Sequence, residues 1–315
     1  MVMISRSDIQ EAARALVGHV RRTPVLALEE DMVASSARVF LKLELLQHTG
    51  SFKPRGAFNC MLNSPVPATG VIAASGGNHG AAVAFAAQKL RHHAEIFVPT
   101  ISPPAKVDRL RQYGAEVNVV GRNYSEALVA SQERALQTGA LAIHAYDDPL
   151  VLAGQGTLGM ELDEQVRGLD TVLIAVGGGG LIGGVAAWYQ ERVRVIGVEP
   201  ENCPTLHKAL EAGSPVDVQV SGVAADALGA GRAGSLMFPI AQAYIQRVVL
   251  VSDDEIRKAQ QALWQKLRLV AEPGGAAAFA ALLSGAYEPK AGERIAVVLC
   301  GANADLESWQ AAVSN

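Results

Sequence analysis

The stretch Thr171-Val-Leu-Ile-Ala-Val-Gly-Gly-Gly-Gly180 decides how the chain is read. Its first six residues form an uninterrupted apolar run, the pattern of a strand buried on both faces of a parallel sheet. Four glycines then turn the chain toward a helix expected over 181–190. In such a turn, free backbone N–H groups and the positive end of the helix dipole converge on an anion, so a phosphate is expected there. Outward from this unit, 193–198 reads as the next strand, 253–269 as a long helix and 294–299 as a final strand, while 211–238 reads as irregular. Toward the N-terminus, strands over 71–74, 95–98, 116–120 and 141–144 alternate with helices over about 79–90, 104–113 and 124–138. Residues 38–43 alternate as a strand. Ser7 with Gln10 forms a capping-box pattern ahead of Ile9, Ala12, Ala13 and Leu16 at helical spacing. The predicted architecture is α/β: two doubly wound open-sheet domains, a small one over 68–147 set into a large one built from 1–67 and 148–315, with a ligand cleft between them.

Composition narrows the function. Half of the 315 residues are hydrophobic, 18% are charged and the net charge is −4. This describes a folded chain with a large core, and no basic footprint for nucleic acid or an anionic membrane. The apolar runs fall short of the roughly 20 residues needed to cross a bilayer. The N-terminal segment, with Asp8 and Glu11, does not resemble a signal peptide. Three scattered cysteines, Cys60, Cys203 and Cys300, do not make a disulfide framework and point to a reducing cytoplasm.

Two further segments carry chemistry. Gly50-Ser-Phe-Lys53-Pro-Arg-Gly-Ala57 places one lysine at a loop-to-helix start, where a lysine amine suits Schiff-base chemistry with a carbonyl such as that of pyridoxal phosphate. By itself Lys53 reads more readily as a solvated lysine in an ordinary loop. Ser75-Gly-Gly-Asn78-His79-Gly80 leaves a strand at its carboxyl end, with donors suited to a carboxylate, and by itself reads equally as a helix cap. The glycine turn admits a rival, because Gly178-x-Gly180-x-x-Gly183 with Glu199 at the end of the next strand approaches a dinucleotide fingerprint and a nicotinamide-dependent oxidoreductase. That reading gives Lys53 and 75–80 no role. Taken alone, the turn would also suit glycine packing without any ligand, and the chain a catalytically silent binding module. Cys203 and His207, four apart, make an accidental pair rather than a metal site.

Taken in order, Ser51-Phe-Lys53-x-Arg55-Gly-Ala57, Ser75-Gly-Gly-Asn78-His79-Gly80, Ala153-Gly-Gln-Gly-Thr157, Gly177–Gly180, Glu199-Pro200, Glu272-Pro273 and Cys300-Gly-x-Asn303 resemble the threonine/serine dehydratase and serine racemase family, fold type II of the pyridoxal-phosphate enzymes, with a tryptophan synthase β-like fold. The resemblance spans nearly the whole chain. It implies pyridoxal 5'-phosphate in the cleft, joined to Lys53, beside Phe52, with Asn78 on its ring 3'-oxygen. Its phosphate would lie on Gly177, Gly178, Gly179, Gly180 and Leu181, and Cys300 near its pyridine nitrogen. Ser75, Gly76, Asn78 and His79 are implied to hold the substrate carboxylate. The implied reaction is α,β-elimination from a β-hydroxy amino acid such as L-threonine or L-serine, giving a 2-keto acid and ammonia, in a cytoplasmic homodimer. Lys53 is implied as the base, and the cofactor phosphate as the acid. An amino-acid racemase is the alternative within the family, but Gly76 stands where the serine racemases place a proton-carrying serine. Metal-binding relatives pair a Glu here matched by Glu199 with an Asp six positions on. Position 205 is Thr, so no metal is expected and Glu199 is the lone candidate. Isoleucine feedback is not expected either. Tyr146-Asp147-Asp148, in a segment implied to line the entrance, leaves the substrate side chain open.

Overall fold

A computed structural model describes residues 3–29, 32–33, 36–304, 309–310 and 313. Among the described residues, ten strands form two sheets: β1 Val25–Ala27, β2 Arg38–Lys42, β3 Val71–Ala74, β4 Ala94–Val98, β5 Glu116–Val119, β6 Leu141–Ala142, β7 Thr171–Ala175, β8 Arg194–Pro200, β9 Ile245–Val251 and β10 Arg294–Val298. The six-stranded sheet has the order β1-β2-β10-β7-β8-β9 and is parallel except for the edge strand β1. The four-stranded sheet, β5-β4-β3-β6, is parallel throughout. Helices cover both sheets, which is why β3, β4 and β7 are buried at every position and present no face to solvent. The α/β class and the twin open sheets agree with the sequence reading.

The central strands deliver the functional loops to one edge. In the large sheet, β7 lies between β10 and β8, so the connection to β8 leaves on one side while β10 returns on the other. The carboxyl end of a strand at such a reversal is the crevice where open α/β sheets bind ligands. Residues 177–180 leave β7 there, residues 299–301 leave β10 beside it, and residues 75–77 leave β3 in the smaller sheet.

Several elements differ from expectation. The first helix, Arg6–Ala15, is capped by Ser5 with Asp8, not by Ser7 with Gln10. Asp8 accepts from the Ser5 N–H at 2.7 Å, a charge-assisted bond that a Gln10 amide does not match. Helices Pro149–Gln165 and Pro273–Ser284 give no periodic signal in the sequence, because most of their circumference is buried and they lack the polar face that gives a helix its period. Edge strand β9 is equally silent, since its exposed Gln246 and Arg247 interrupt the apolar run. The stretch 211–238 is mostly irregular but contains the short helix Ala225–Leu228.

Candidate active site

Lys53 stands at the N-cap of helix Pro54–Leu62, with Pro54 at the first helical position. Proline fits there because its missing N–H would have no intrahelical partner. Two sets of contacts hold the segment. On one side, Ser51 bridges Gly301, the Phe52 N–H donates to the Cys300 carbonyl at 3.1 Å, and the Ala302 N–H donates to the Gly50 carbonyl at 2.8 Å. On the other, the helix crosses Pro149–Gln165 so closely that a Cβ on Gly154 would sit 2.5 Å from the Arg55 carbonyl oxygen. Glycine is required at that crossing.

Beneath the helix lies a buried ionic network. Arg55 donates to Glu44 Oε1 at 2.6 Å and Oε2 at 3.0 Å, to Glu161 Oε2 at 2.9 Å and to Thr157 Oγ1 at 3.2 Å. Lys42, fully buried, pairs with Glu161 and donates to Gln165 Oε1 and the Thr23 carbonyl. Two cations face two carboxylates, so the group is neutral and satisfied, the condition for burying charge at tolerable cost.

Lys53 opens into a cavity of about 540 Å³ lined also by Ser75, Gly76, Gly77, Asn78, His79, Ser102, Lys106, Tyr146, Gly178 and Asp226. Its Nζ donates to the Ala145 carbonyl at 2.9 Å and lies 5.1 Å from the Phe52 ring centre. Burial lowers its pKa to about 8, against an opposing pull from Cys300 and Glu272. A substantial fraction of neutral, nucleophilic amine is therefore present at moderately alkaline pH. His79 Nε2 lies 2.9 Å from the Ile143 carbonyl, and burial lowers the pKa of the ring to about 3. It is neutral, so Nε2 is the donor and His79 brings no positive charge to the cleft. Burial also pushes the Cys300 thiol up to about 12 and keeps it protonated. Its Sγ donates to the Gly274 carbonyl at 3.5 Å.

Two turns offer unused donors. Among the described residues, the N–H groups of Gly178, Gly179, Gly180 and Leu181 have no hydrogen-bond partner. They lie at the start of helix Gly180–Tyr189, where Gly179 takes φ +96°, a conformation that L side chains rarely adopt. A Cβ at Gly178 would fall 2.4 Å from the Tyr146 ring. In the second turn, the Gly77 N–H donates to Ser75 Oγ at 3.2 Å, whereas those of Gly76, Asn78 and His79 have no partner among the described residues. That turn opens helix Asn78–Leu90, so its dipole also favours an anion. The cleft thus brings two turns with unpartnered N–H donors together with one buried lysine of lowered pKa.

Lys53, Ser75, Gly76, Asn78, His79 and Gly178 border the cavity together, with Phe52 and Cys300 directly behind the lysine. Glu199 does not join them. Its two oxygens accept from the N–H groups of Leu206 and His207 at 2.7 and 2.8 Å, capping helix Thr205–Ala212. Among the described residues no three His, Cys, Asp or Glu side chains are grouped as a metal site. Asp147 accepts from the N–H groups of Ser235 and Leu236, and Asp148 caps helix Pro149–Gln165, so of that acidic segment only Tyr146 faces the cavity. Sequence reasoning gives no role to Glu272 and Asn303, both of which hydrogen-bond Asn78. They belong to quoted motifs, but nothing local to either motif names its partner.

Comparison with known proteins agrees with this chemistry. Residues 16–301 match the sequence model of the family described as pyridoxal-phosphate dependent enzyme. The chain is 40% identical over 311 residues to an L-threonine ammonia-lyase of Geobacter sulfurreducens, covering 97% of this chain and 77% of the relative. Among solved structures, threonine deaminase isoform 2 from Solanum lycopersicum superposes with a TM-score of 0.91 at 32% identity, covering 98% of this chain and 87% of that one. Maize serine racemase superposes with a TM-score of 0.92 at 30% identity, covering 98% and 97%.

Proposed function

Because the chain belongs to the family of pyridoxal-phosphate dependent enzymes, we propose that it is an ammonia-lyase that removes water and then ammonia from a β-hydroxy amino acid, with L-threonine or L-serine as substrate. It is a lyase of the threonine dehydratase type, and pyridoxal 5'-phosphate is its cofactor. The observation that carries the reading is that one cavity brings together an amine with lowered pKa and two turns of unpartnered N–H groups.

The residues fit the cofactor. Lys53 would hold it covalently, the N–H groups of Gly178–Leu181 its phosphate, Asn78 its ring oxygen and Phe52 one side of its ring, while Gly177 shapes the turn. Cys300 would meet its ring nitrogen as a neutral thiol, which does not keep that nitrogen protonated as a carboxylate would. When bound, the cofactor supplies the electron sink that acidifies the substrate's α-C–H. The protein does the rest. The N–H groups at Gly76, Asn78 and His79, with the Ser75 hydroxyl, bind the substrate carboxylate and leave the α-carbon toward Lys53. Lys53 Nζ, neutral once free, takes the α-proton. The β-hydroxyl takes up a proton and leaves as water, so that the α-proton removed and the hydroxyl lost together account for one water. The unsaturated product hydrolyses to a 2-keto acid and ammonia.

We further propose a cytoplasmic homodimer, and a small domain over 68–147 within a large one of 1–67 and 148–315. The four-stranded sheet lies wholly within the smaller segment, which supports the division. No helix among the described residues is long and apolar enough to cross a membrane. The decisive assay incubates the purified holoprotein with L-threonine and with L-serine and measures 2-keto acid, ammonia and D-isomer. Keto acid with little D-isomer is expected. Rapid D-isomer formation without keto acid would overturn the lyase reading, and sedimentation as a monomer at micromolar concentration would overturn the dimer.

A further inference from the structure

The side-chain amide of Asn78 is held at both ends by residues far away in the chain. Its Oδ1 accepts from Asn303 Nδ2 at 2.5 Å, and its Nδ2 donates to Glu272 Oε1 at 2.7 Å. Asn303 is itself oriented, because the same Nδ2 donates to the Thr49 carbonyl at 2.8 Å. A carbonyl only accepts, so the nitrogen of Asn303 must face it, and that nitrogen can meet only the oxygen of Asn78. Burial raises the Glu272 carboxyl to about 7, so above that pH it is ionised, likewise accepts only, and requires the nitrogen of Asn78 on its side. Both neighbours select the same orientation. The reversed amide would set nitrogen against nitrogen at Asn303 and oxygen against oxygen at Glu272.

The consequence lies at the unused hydrogen. A primary amide nitrogen carries two, and the second N–H of Asn78 has no partner among the described residues. Asn78 borders the cavity that holds Lys53. What it can offer a ligand is therefore a donor. Glu272 has little freedom to release it: the residue is 4% exposed, its backbone N–H donates to the Gly301 carbonyl at 3.1 Å, and a Cβ on Gly301 would lie 1.9 Å from its Oε1.

We propose that Glu272 and Asn303 are positioning residues that hold the Asn78 amide with its free N–H directed to the cofactor, so that the site selects the deprotonated ring oxygen. This rests on the reading of the cleft as a pyridoxal-phosphate site with Asn78 at that oxygen. A donor stabilises an oxyanion, whereas a reversed amide would set its carbonyl oxygen against it.

The test titrates apoprotein with pyridoxal phosphate and follows affinity and the absorption band of the bound cofactor in Asn78→Ala, Glu272→Ala, Asn303→Ala, Glu272→Gln and the double variants. Asn78→Ala should weaken affinity about tenfold or more and displace the band, the size of a lost hydrogen bond to a charged acceptor. Glu272→Ala and Asn303→Ala should each reproduce part of both changes, and add little when Asn78 is already alanine. Glu272→Gln keeps an acceptor oxygen of the same shape and should stay closer to wild type. Independent, additive losses in the double variants would overturn the positioning role, as would a wild-type band in both single alanine variants. Should Glu272→Ala fold poorly, the cycle of Asn303→Ala with Asn78→Ala gives the same decision. If Asn78→Ala changes neither affinity nor band, the assignment of Asn78 itself falls and the inference with it.

Discussion

At the scale of single residues, protonation states decide what the cleft can do. Lys53 becomes a nucleophile at a pH set by its burial, since desolvation disfavours the ammonium form. Uptake of pyridoxal phosphate by apoprotein should therefore accelerate as pH rises through about 8, which stopped-flow absorbance would resolve. A midpoint near the ordinary lysine value would show that the amine is not desolvated. Borohydride should couple the cofactor to Lys53, and Lys53→Ala should lose turnover by several orders of magnitude, because anchor and base disappear together. In the proposed reaction the balance between elimination and racemisation should turn on Gly76. A Cβ there would meet Ser102 Oγ at 3.4 Å, an ordinary contact, so a serine is accommodated. Gly76→Ser should produce measurable D-isomer where the wild type produces little, because return of the proton with inversion needs a second carrier. Chiral chromatography showing no gain would remove Gly76 as the reason for elimination.

Elements place those residues, and the helix Pro54–Leu62 is held by charge as well as by packing. Arg55→Met keeps length and apolar volume but leaves Glu44 and Glu161 buried without their main cation. A loss of about 3–5 kcal/mol is expected in urea unfolding, the range for breaking a buried ion pair from one side, with weaker cofactor retention as the lysine helix loosens. A loss below about 1 kcal/mol would mean that Lys42 and water compensate. The same scale shows why some elements are legible and others are not. β7 and its glycines announce themselves because a doubly buried strand is continuous and apolar and because tight turns need glycine. Helix Pro149–Gln165 does not, since Gly154 and its neighbours are shaped by the helix they touch, not by a periodic boundary with water.

For the whole molecule, stability should record the cost of keeping His79 neutral. Its folded pKa, about 3, lies below the ordinary value of 6.5, so the unfolded chain binds this proton first as pH falls. The stabilising contribution is complete above about 6.5 and is lost progressively as pH drops toward 3. His79→Gln should flatten that part of the stability curve by up to about 1.4 kcal/mol per pH unit, measured against wild type by urea titration between about pH 4 and 7. Parallel curves would show that His79 is already protonated in the folded cleft. The chain by itself determined the α/β class and singled out Lys53 and the turns at 75–80 and 177–181, because each rests on neighbours a few positions away and on backbone requirements that only certain residues meet. Only the tertiary structure decided that Glu272 and Asn303 orient Asn78. They stand 194 and 225 positions from it, and their meeting depends on how two sheets present their carboxyl ends to one cleft, which no local pattern encodes.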